Sequence, residues 1–416
     1  MRSIATFYTL FWIVYFPTCI AFYNDTEGGF GYIDEFMTLI LILYTFSKAK
    51  AKSVNRQPWK EYNMFFVVLA FYFVYSMLMQ VNVPMAAMRD VVQWVRPFSV
   101  IYCTWILNPR FSTTLKRWML ASMIATLGFW IITNRSYLEK EEAEFVVLGQ
   151  MAMCTGMAWY LFTDPTKENT YIATALVLSG MLAPKFKYMG EVVCFIYIMY
   201  FMRGKLNFKS PKIIAIFALV ASVILYVTWF KFEAYYVSGF QENAERMARP
   251  ESFKVAFGKI IWEYFPFGSG FGTFGTAAAA KIYSPLYYKY NLDSIWGLAP
   301  DAPMFLADAF YPTLAQFGLV GIGLFIAFWK RMILRLNKLI DMRYYRVAFM
   351  AVACLAIEQA ADSSFLSGKG MGFCMLIGLC LNANRNLMAQ QEKIRREQER
   401  LAREKEVYEE LQEKQK

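Results

Sequence analysis

The chain has 416 residues, of which 57% are hydrophobic and 18% aromatic, and its formal net charge is +11. Apolar runs of roughly 17 to 20 residues recur along it, and each is long enough to cross the ~30 Å hydrocarbon layer as a helix. A soluble globular domain is therefore excluded, and the predicted fold class is all-α, a polytopic membrane protein. The chain contains no histidine, which excludes imidazole bases, Ser-His-Asp triads and the commonest metal ligand.

About twelve transmembrane helices are predicted. In chain order they cover residues 4–23, 30–46, 62–80, 86–108, 118–133, 144–163, 170–184, 189–202, 213–230, 304–329, 346–361 and 367–385. Another apolar run follows the first helix directly, so we interpret that helix as a retained membrane segment and not as a cleaved signal peptide. The seven cysteines lie inside apolar runs without a CxxC pair, which is typical of packing residues.

Loop charges predict the orientation of these helices. The loop after the second helix, KAKAKSVNRQPWK, carries several basic residues and no acid, and basic residues also follow the fourth, eighth and tenth helices. The positive-inside rule places these loops, and both termini, in the cytoplasm. Because the net positive charge then follows from topology, it does not indicate nucleic-acid binding.

This reading divides the chain into four parts. Residues 1–230 form the first nine helices, residues 231–303 form one large periplasmic loop, residues 304–385 form the last three helices, and residues 386–416 form a charged cytoplasmic tail. The tail is polar all round, so we expect a solvated helix, with docking of a cytoplasmic partner as the alternative.

The large loop contains the most informative stretch, Arg246–Gly275. Apolar residues recur at roughly helical spacing after Pro250, which predicts a short amphipathic helix on the bilayer surface. A flexible turn follows, whose backbone amides are expected to approach a bulky ligand. The residues that end the helix and form this turn are Pro266, Gly268, Gly270, Gly272 and Gly275. The phenylalanines between them suit either anchoring in the headgroup region or stacking on sugars, and composition favours anchoring.

Charged residues inside the predicted helices are the next signal. Arg89, Gln93 and Arg96 are spaced i, i+4 and i+7 on the fourth helix, so they form one polar stripe, with Arg96 roughly 10 Å deeper than Arg89. An arginine at that depth is a functional candidate unless it is paired. The alternative is a structural ion pair, for which Asp90, Glu191 and Glu358 are the candidate partners.

Further charges lie near the same side of the membrane. Lys185 and Lys187 occupy a short turn, where snorkelling lysines are also common. Asp362 and Lys369 lie with Glu358 around the last turn, where such residues often face water. Six cations share the outer side in this topology: Arg89, Arg96, Lys185, Lys187, Arg246 and Arg249. Cations beside a glycine-rich backbone suit a phosphate or diphosphate, although the loop lacks the GK[ST] of a P-loop. No metal or other cofactor is predicted.

The chain resembles the O-antigen polymerase and O-antigen ligase family of bacterial lipid-linked glycan transferases. The resemblance covers the twelve-helix plan with one large late loop and three local stretches. Arg249 followed by a helix and Pro266-x-Gly268-x-Gly270-x-Gly272 is similar to the family's arginine, helix and P-x-G-x-G pattern. The segment from Asp308 to Gly321 looks like the family's entry into the following helix. Lys185 and Lys187 replace a Ser-Arg pair that many members carry.

The resemblance implies a function and a location. The chain would sit in the bacterial inner membrane and polymerise undecaprenyl-diphosphate-linked repeat units at the periplasmic face, with other polysaccharide-assembly proteins as potential partners of its tail. Arg249 and Arg96, helped by Arg89 and Arg246, would stabilise the departing lipid diphosphate, and Asp308 or Asp301 would accept the proton of the acceptor hydroxyl.

Three alternatives stay open. O-antigen ligases carry a histidine where this chain has Ala307, which favours a polymerase over a ligase that transfers glycan to a lipid A-core acceptor. A transporter or flippase for polysaccharide precursors also suits twelve helices and buried arginines, although no internal repeat is visible. A structural scaffold for an envelope assembly complex is the third alternative.

Overall fold

The computed structural model describes residues 2–21, 32–133, 146–182, 185–206, 246–360 and 362–414, with scattered positions between 211 and 237. Throughout these residues the regular secondary structure is helical and no strand occurs. The predicted ninth helix, residues 213–230, falls largely outside the described residues.

The α-helices of the described residues are numbered in chain order, with the short helix Ile261–Glu263 counted as the end of α9. They are α1 (Arg2–Ala21), α2 (Ile33–Ser47), α3 (Trp59–Met79), α4 (Pro84–Leu107), α5 (Thr113–Thr133), α6 (Val146–Phe162), α7 (Lys167–Ser179), α8 (Phe186–Ile196), α9 (Ala248–Val255), α10 (Ala277–Lys281), α11 (Pro285–Lys289), α12 (Gly318–Leu336), α13 (Met342–Glu358), α14 (Met371–Cys380) and α15 (Ala383–Lys414). A helix is present where one was predicted in the large loop: it is α9, which continues through one π-helical turn, Ala256–Ile260, to Glu263. Its placement on a bilayer surface stays a prediction.

Within the part of the chain that the structure describes, three helical segments are long and apolar enough to cross a membrane. They are Trp59–Met79, Thr113–Thr133 and Tyr311–Leu336, and Ser3–Thr18 and Val147–Phe162 are shorter apolar helices. The outward faces of these helices are themselves apolar: Leu78 on α3 and Ile132 on α5 are 77% and 76% exposed. Such a surface suits lipid and not water. Membrane insertion is therefore plausible, whereas twelve spans and their orientation stay predictions.

Helix α4 is the centre of the bundle and packs against α2, α3 and α14. Every residue from Arg96 to Leu107 is buried. Its hydroxyl groups have partners on neighbouring helices, since Tyr62 donates to Ser99 over 3.0 Å and the Tyr8 and Thr104 hydroxyls lie 2.7 Å apart. These bonds allow polar side chains to lie in an apolar core.

The predicted helix over residues 304–329 begins later than expected. Residues 304–310 are irregular, Tyr311–Phe317 form a 3-10 helix, and α12 starts only at Gly318. Gly318 has φ +57°, and a Cβ there would lie 2.4 Å from the Gly268 amide nitrogen. The glycine-rich loop therefore presses against the chain at this point, which a helical pattern alone does not reveal. As a consequence Asp308 lies in a loop and not at a helix start.

The bundle has two ends, which we call the loop end and the opposite end. The loop end consists of residues 266–275 together with the end of α3 and the starts of α4 and α12, because the loop contacts all three. At the opposite end, Glu61 near the start of α3 forms an ion pair with Arg335 near the end of α12. These two helices are thus connected at both ends of the bundle.

Candidate functional site

The glycine-rich loop, residues 266–275, is folded into the protein. The amide nitrogen of Gly270 donates to the Gln316 carbonyl oxygen over 2.8 Å. That of Gly272 donates to the Asp90 carboxylate over 2.7 Å, and that of Gly268 donates to the Tyr264 carbonyl oxygen over 2.7 Å. The backbone between and after them is held by Ser76, the Gln316 side chain and Tyr287.

This arrangement corrects the predicted ligand cradle. The amides of Gly268, Gly270 and Gly272 already have protein acceptors, so in this conformation they do not form an open set of donors for a diphosphate. The prediction that the phenylalanines of this loop anchor it in the headgroup region also needs a partial correction. Phe271 and Phe274 are buried, whereas Phe265 remains exposed and suits the predicted anchor.

Arg96 is buried at the centre of an ion-paired group. Its guanidinium contacts Asp34 at 2.6 Å and also pairs with Glu35, both in the first turn of α2. It further donates to the Leu366 carbonyl oxygen over 2.7 Å. The structural ion pair considered for Arg96 is therefore present, but its partners are not those named from the sequence. The pair ties α2, α4 and the segment before α14 together.

Lys187 belongs to a second buried network. Its ammonium contacts Glu358 at 2.6 Å and Asp362 at 2.9 Å, and Lys369 contacts Asp362 at 2.7 Å. Glu358 also accepts from the Ser364 hydroxyl over 3.0 Å. The alternative that these charged residues face water does not apply to Glu358 and Lys369, which are buried.

The charge state of Asp362 follows from this network. Burial by itself raises the pKa of a carboxyl, but Lys369 and Lys187 outweigh that effect and lower the pKa of Asp362 to about 2. The carboxylate is therefore ionised at every physiological pH, and it holds the two lysines together.

Arg249 forms the third ion pair, with Asp308. Their side chains are 19% and 21% exposed, so a ligand can reach them from solvent. Burial raises the pKa of Asp308 above its ordinary value, and the charge and hydrogen bond of Arg249 oppose that rise. Asp362 and Lys187 also act electrostatically on Asp308, which places this pair next to the Lys187 network.

A cavity of about 320 Å³ lies beside these groups. Its lining includes Arg96 and Gln93 of α4 and also Asp362 and Lys369. The segment that carries Asp308 forms part of the wall, because Ala307 lines the cavity and accepts a hydrogen bond of 2.5 Å from the Ser363 hydroxyl. The cavity is thus shared by the Arg96 group and the residue next to Asp308, whereas Arg249 and Asp308 do not line it themselves. We call the cavity, together with the three ion-paired groups around it, the acid-base site.

The electrostatics of the acid-base site differ from the expected cluster of free cations. Its positively charged residues are Arg96, Lys187, Lys369 and Arg249. Its negatively charged residues are Asp34, Glu35, Glu358, Asp362 and Asp308. Each predicted cation in it already contacts a carboxylate. A diphosphate would consequently have to displace a carboxylate in order to bind.

The other predicted site residues take no part in these ion pairs. Arg246 is 46% exposed, contacts Glu251 at 3.5 Å and donates to the Asn291 carbonyl oxygen over 2.9 Å. Arg89 is half-buried on α4, Lys185 is half-buried just before α8, and Asp301 is exposed in the loop. The structure therefore links Arg96, Lys187, Arg249 and Asp308 to the acid-base site, whereas the other four neither line its cavity nor form its ion pairs.

Several residues of the site were missed by the sequence reasoning. Asp34 and Glu35 carry a usable signal, since two adjacent acids in the first turn of an apolar helix need cationic partners. Ser364, which accepts from the Gln150 side-chain amide over 2.8 Å, carries no such signal. Among the described residues, no group of three or more Cys, Asp or Glu side chains is arranged to hold a metal ion.

Comparison with known proteins assigns no family. The sequence matches no protein-family model, and a search of curated proteins finds no match. The likeness to O-antigen polymerases and ligases therefore rests on the motifs and the topology described above.

Proposed function

We propose that this protein is a membrane-bound glycan transferase that uses a polyprenyl-diphosphate-linked glycan as donor and a second lipid-linked repeat as acceptor. The observation that carries the proposal is the Arg249–Asp308 pair, which is reachable by a ligand and lies beside a polar cavity at the end of a bundle of apolar helices. It joins an anion-binding group to a carboxylate, and a metal-independent glycosyl transfer needs both. The resemblance to the O-antigen polymerase and ligase family supports the same chemistry.

The two side chains would exchange partners during the reaction. When the donor binds, Arg249 turns from Asp308 to the diphosphate, because a guanidinium binds phosphate oxygens through paired hydrogen bonds. Asp308 then loses the group that opposes the rise of its pKa, so it becomes a stronger base. Binding of the donor thereby prepares the base for the acceptor.

The bond changes follow from these roles. The acceptor hydroxyl oxygen forms a bond to the anomeric carbon while the bond from that carbon to the diphosphate oxygen breaks. The hydroxyl proton passes to Asp308, and the electron pair of the broken bond leaves with the polyprenyl diphosphate, whose charge Arg249 stabilises. Arg96, with three acceptors already in place, positions the wall of the cavity and does not contact the diphosphate.

The cellular location and the membrane topology that the resemblance implies are also part of this proposal. The acid-base site would face the periplasm, the termini would lie in the cytoplasm, and the membrane would be a bacterial inner membrane. A polymerase is favoured over a ligase because Ala307 stands where ligases carry histidine.

The test is a reconstituted reaction of the purified full-length chain with lipid-linked repeat units, with product length read on a gel. We expect Asp308→Asn to lower the rate about 100-fold or more, because the amide cannot accept the proton. Arg249→Ala should lower it to a similar extent. The matched controls are Lys254→Ala on the same helix, where the lysine forms a surface pair with Glu251, and Asp293→Asn in the same loop. Full rate in the Asp308→Asn protein would refute the assignment.

The pH profile gives a second readout. A base must be deprotonated to act, so the rate falls as the pH falls through the pKa of Asp308. Because burial raises that pKa, the acid limb of the profile should lie above ~3.9, the ordinary value for aspartate, and Asp308→Asn should remove it. An acid limb that persists in this variant would assign the base elsewhere.

The transporter alternative rests on one specific observation. Glu191 and Glu358 are buried carboxylates near Lys187, an arrangement that also occurs in proton relays of transporters. The same reconstitution separates the two functions, because a transferase lengthens glycans in detergent solution and a transporter needs two compartments.

A further inference from the structure

We propose that the groove between α3 and α12 is a binding site for one acyl chain of an anionic phospholipid, whose phosphate is held by Lys60 and Arg331. This site lies away from the acid-base site and does not depend on the proposed function. The groove has a volume of about 460 Å³.

Two side-chain bridges bound the groove, one from α3 to α12 and one from α3 to the residue before α12. At the opposite end Arg335 donates to Glu61 over 2.7 Å. At the loop end the Tyr72 hydroxyl donates to the Phe317 carbonyl oxygen over 2.9 Å. Glu61 and Tyr72 are separated by about 16 Å along α3 at the helical rise per residue. The two bridges hold the helices apart at a fixed spacing and leave an elongated slot between them.

The slot is apolar along its length. Its side walls include Phe65 and Val68 of α3 and Phe328 of α12, and its floor is α4 with Trp94 and Phe98. Met64 and Leu324 at its rim are 59% and 45% exposed. An opening of this kind toward the lipid-facing side admits a flexible hydrocarbon chain.

The two ends of the slot differ in charge, and this difference selects the lipid. Lys60 and Arg331 line the opposite end and are exposed, and neither forms an ion pair within the described part of the chain. Arg335 is already engaged by Glu61 and lies 4.9 Å from the Trp105 ring. Two available cations at the mouth of an apolar slot complement a phosphate with a hydrocarbon tail.

The loop end cannot hold such a head group. It is closed by aromatic rings, with the Tyr72 and Phe317 centroids 5.1 Å apart and the Phe271 and Phe317 centroids 5.0 Å apart. A donor lipid with its diphosphate at Arg249 would have to enter from that closed end. The occupant is therefore a phospholipid of the leaflet at the opposite end, and the polyprenyl donor is excluded from the slot.

The experiment measures lipid bound to the delipidated full-length protein by native mass spectrometry. The probe is dioleoylphosphatidylglycerol, with dioleoylphosphatidylcholine as the zwitterionic comparison. We expect one phosphatidylglycerol per chain. Val68→Trp fills the slot and should weaken binding about tenfold or more. Its matched control is Val67→Trp, because Val67 is 62% exposed and does not line the slot.

A second set of variants tests the role of the two cations with substitutions that leave the apolar packing intact. The double variant Lys60→Gln/Arg331→Gln should lose about tenfold or more of the preference for phosphatidylglycerol, whereas Lys330→Gln, on the neighbouring exposed position, should keep it. Equal binding by the two tryptophan variants, or an unchanged preference in the double variant, would overturn the proposal. Displacement of phosphatidylglycerol by undecaprenyl phosphate at similar concentrations would also overturn it, because the slot would then be a tail site for the donor.

Discussion

Replacing Gly272 by alanine tests whether the glycine-rich loop is a structural plug or a ligand cradle. Gly272 has φ +69°, and an added Cβ would lie 2.5 Å from the carbonyl carbon and oxygen of Ala86. Both neighbours are backbone atoms at the start of α4, so they cannot move aside as a flexible side chain would.

The magnitude has two parts. An L-residue in the left-handed region costs about 1–2 kcal/mol, and overpacking against backbone costs typically about 1–3 kcal/mol. We therefore expect Gly272→Ala to lower the free energy of unfolding by about 2–5 kcal/mol, a large fraction of a typical total of about 5–15 kcal/mol. The variant also strains the bond from the Gly272 amide to Asp90.

The assay is unfolding in dodecylmaltoside micelles titrated with sodium dodecyl sulfate, followed by circular dichroism. The matched control is Gly323→Ala in α12, where an added Cβ meets nothing within 4 Å. This substitution should be neutral or stabilise the protein by about 0.5–1 kcal/mol. Wild-type stability in the Gly272→Ala protein, together with lost glycan transfer, would refute the reasoning and restore the ligand cradle.

Three further predictions concern the buried network, the topology and metals. Asp362→Asn leaves Lys187 and Lys369 without their shared carboxylate and should cost about 3–5 kcal/mol at pH 7, against less than about 0.5 kcal/mol for the exposed Asp301→Asn. Because the pKa of Asp362 is lowered, its contribution to stability is fully present at pH values above ~3.9 and is lost as the pH falls through about 2. The difference in free energy of unfolding between the variant and the wild type should therefore shrink in acid. In a background without native cysteines, Asp301→Cys should react with an impermeant maleimide in intact cells and Lys338→Cys only after permeabilisation, and labelling of position 338 from outside would reverse the orientation. Transfer by the purified protein should survive EDTA, and inhibition by EDTA would mean that a divalent cation assists the diphosphate.

The partners of the charged residues show where sequence reasoning ended. The i, i+4, i+7 spacing identified Arg96 as an unusual residue on a helix, and the rule that such a charge needs a partner was sound. The partners themselves, Asp34 and Glu35, lie about 60 positions earlier in the chain. Spacing within one helix carries no information on which helix lies beside it.

The glycine-rich loop illustrates the same limit. Its sequence determined that the chain turns there, since Pro266 and four glycines cannot continue a helix. Whether the freed amides face a ligand or the protein depends on whether acceptors from other helices reach them, and Asp90, Ser76 and Gln316 do.

The sequence by itself determined the helical class, the apolar character of the helices and the positions of most of them, because hydrophobic runs and their breaks are local properties of the chain. The tertiary structure alone decided which charges neutralise one another, that Asp308 lies in a loop facing Arg249, and that α3 and α12 leave a slot between them. These features arise from contacts between residues far apart in sequence, and packing in three dimensions, not periodicity, determines such contacts.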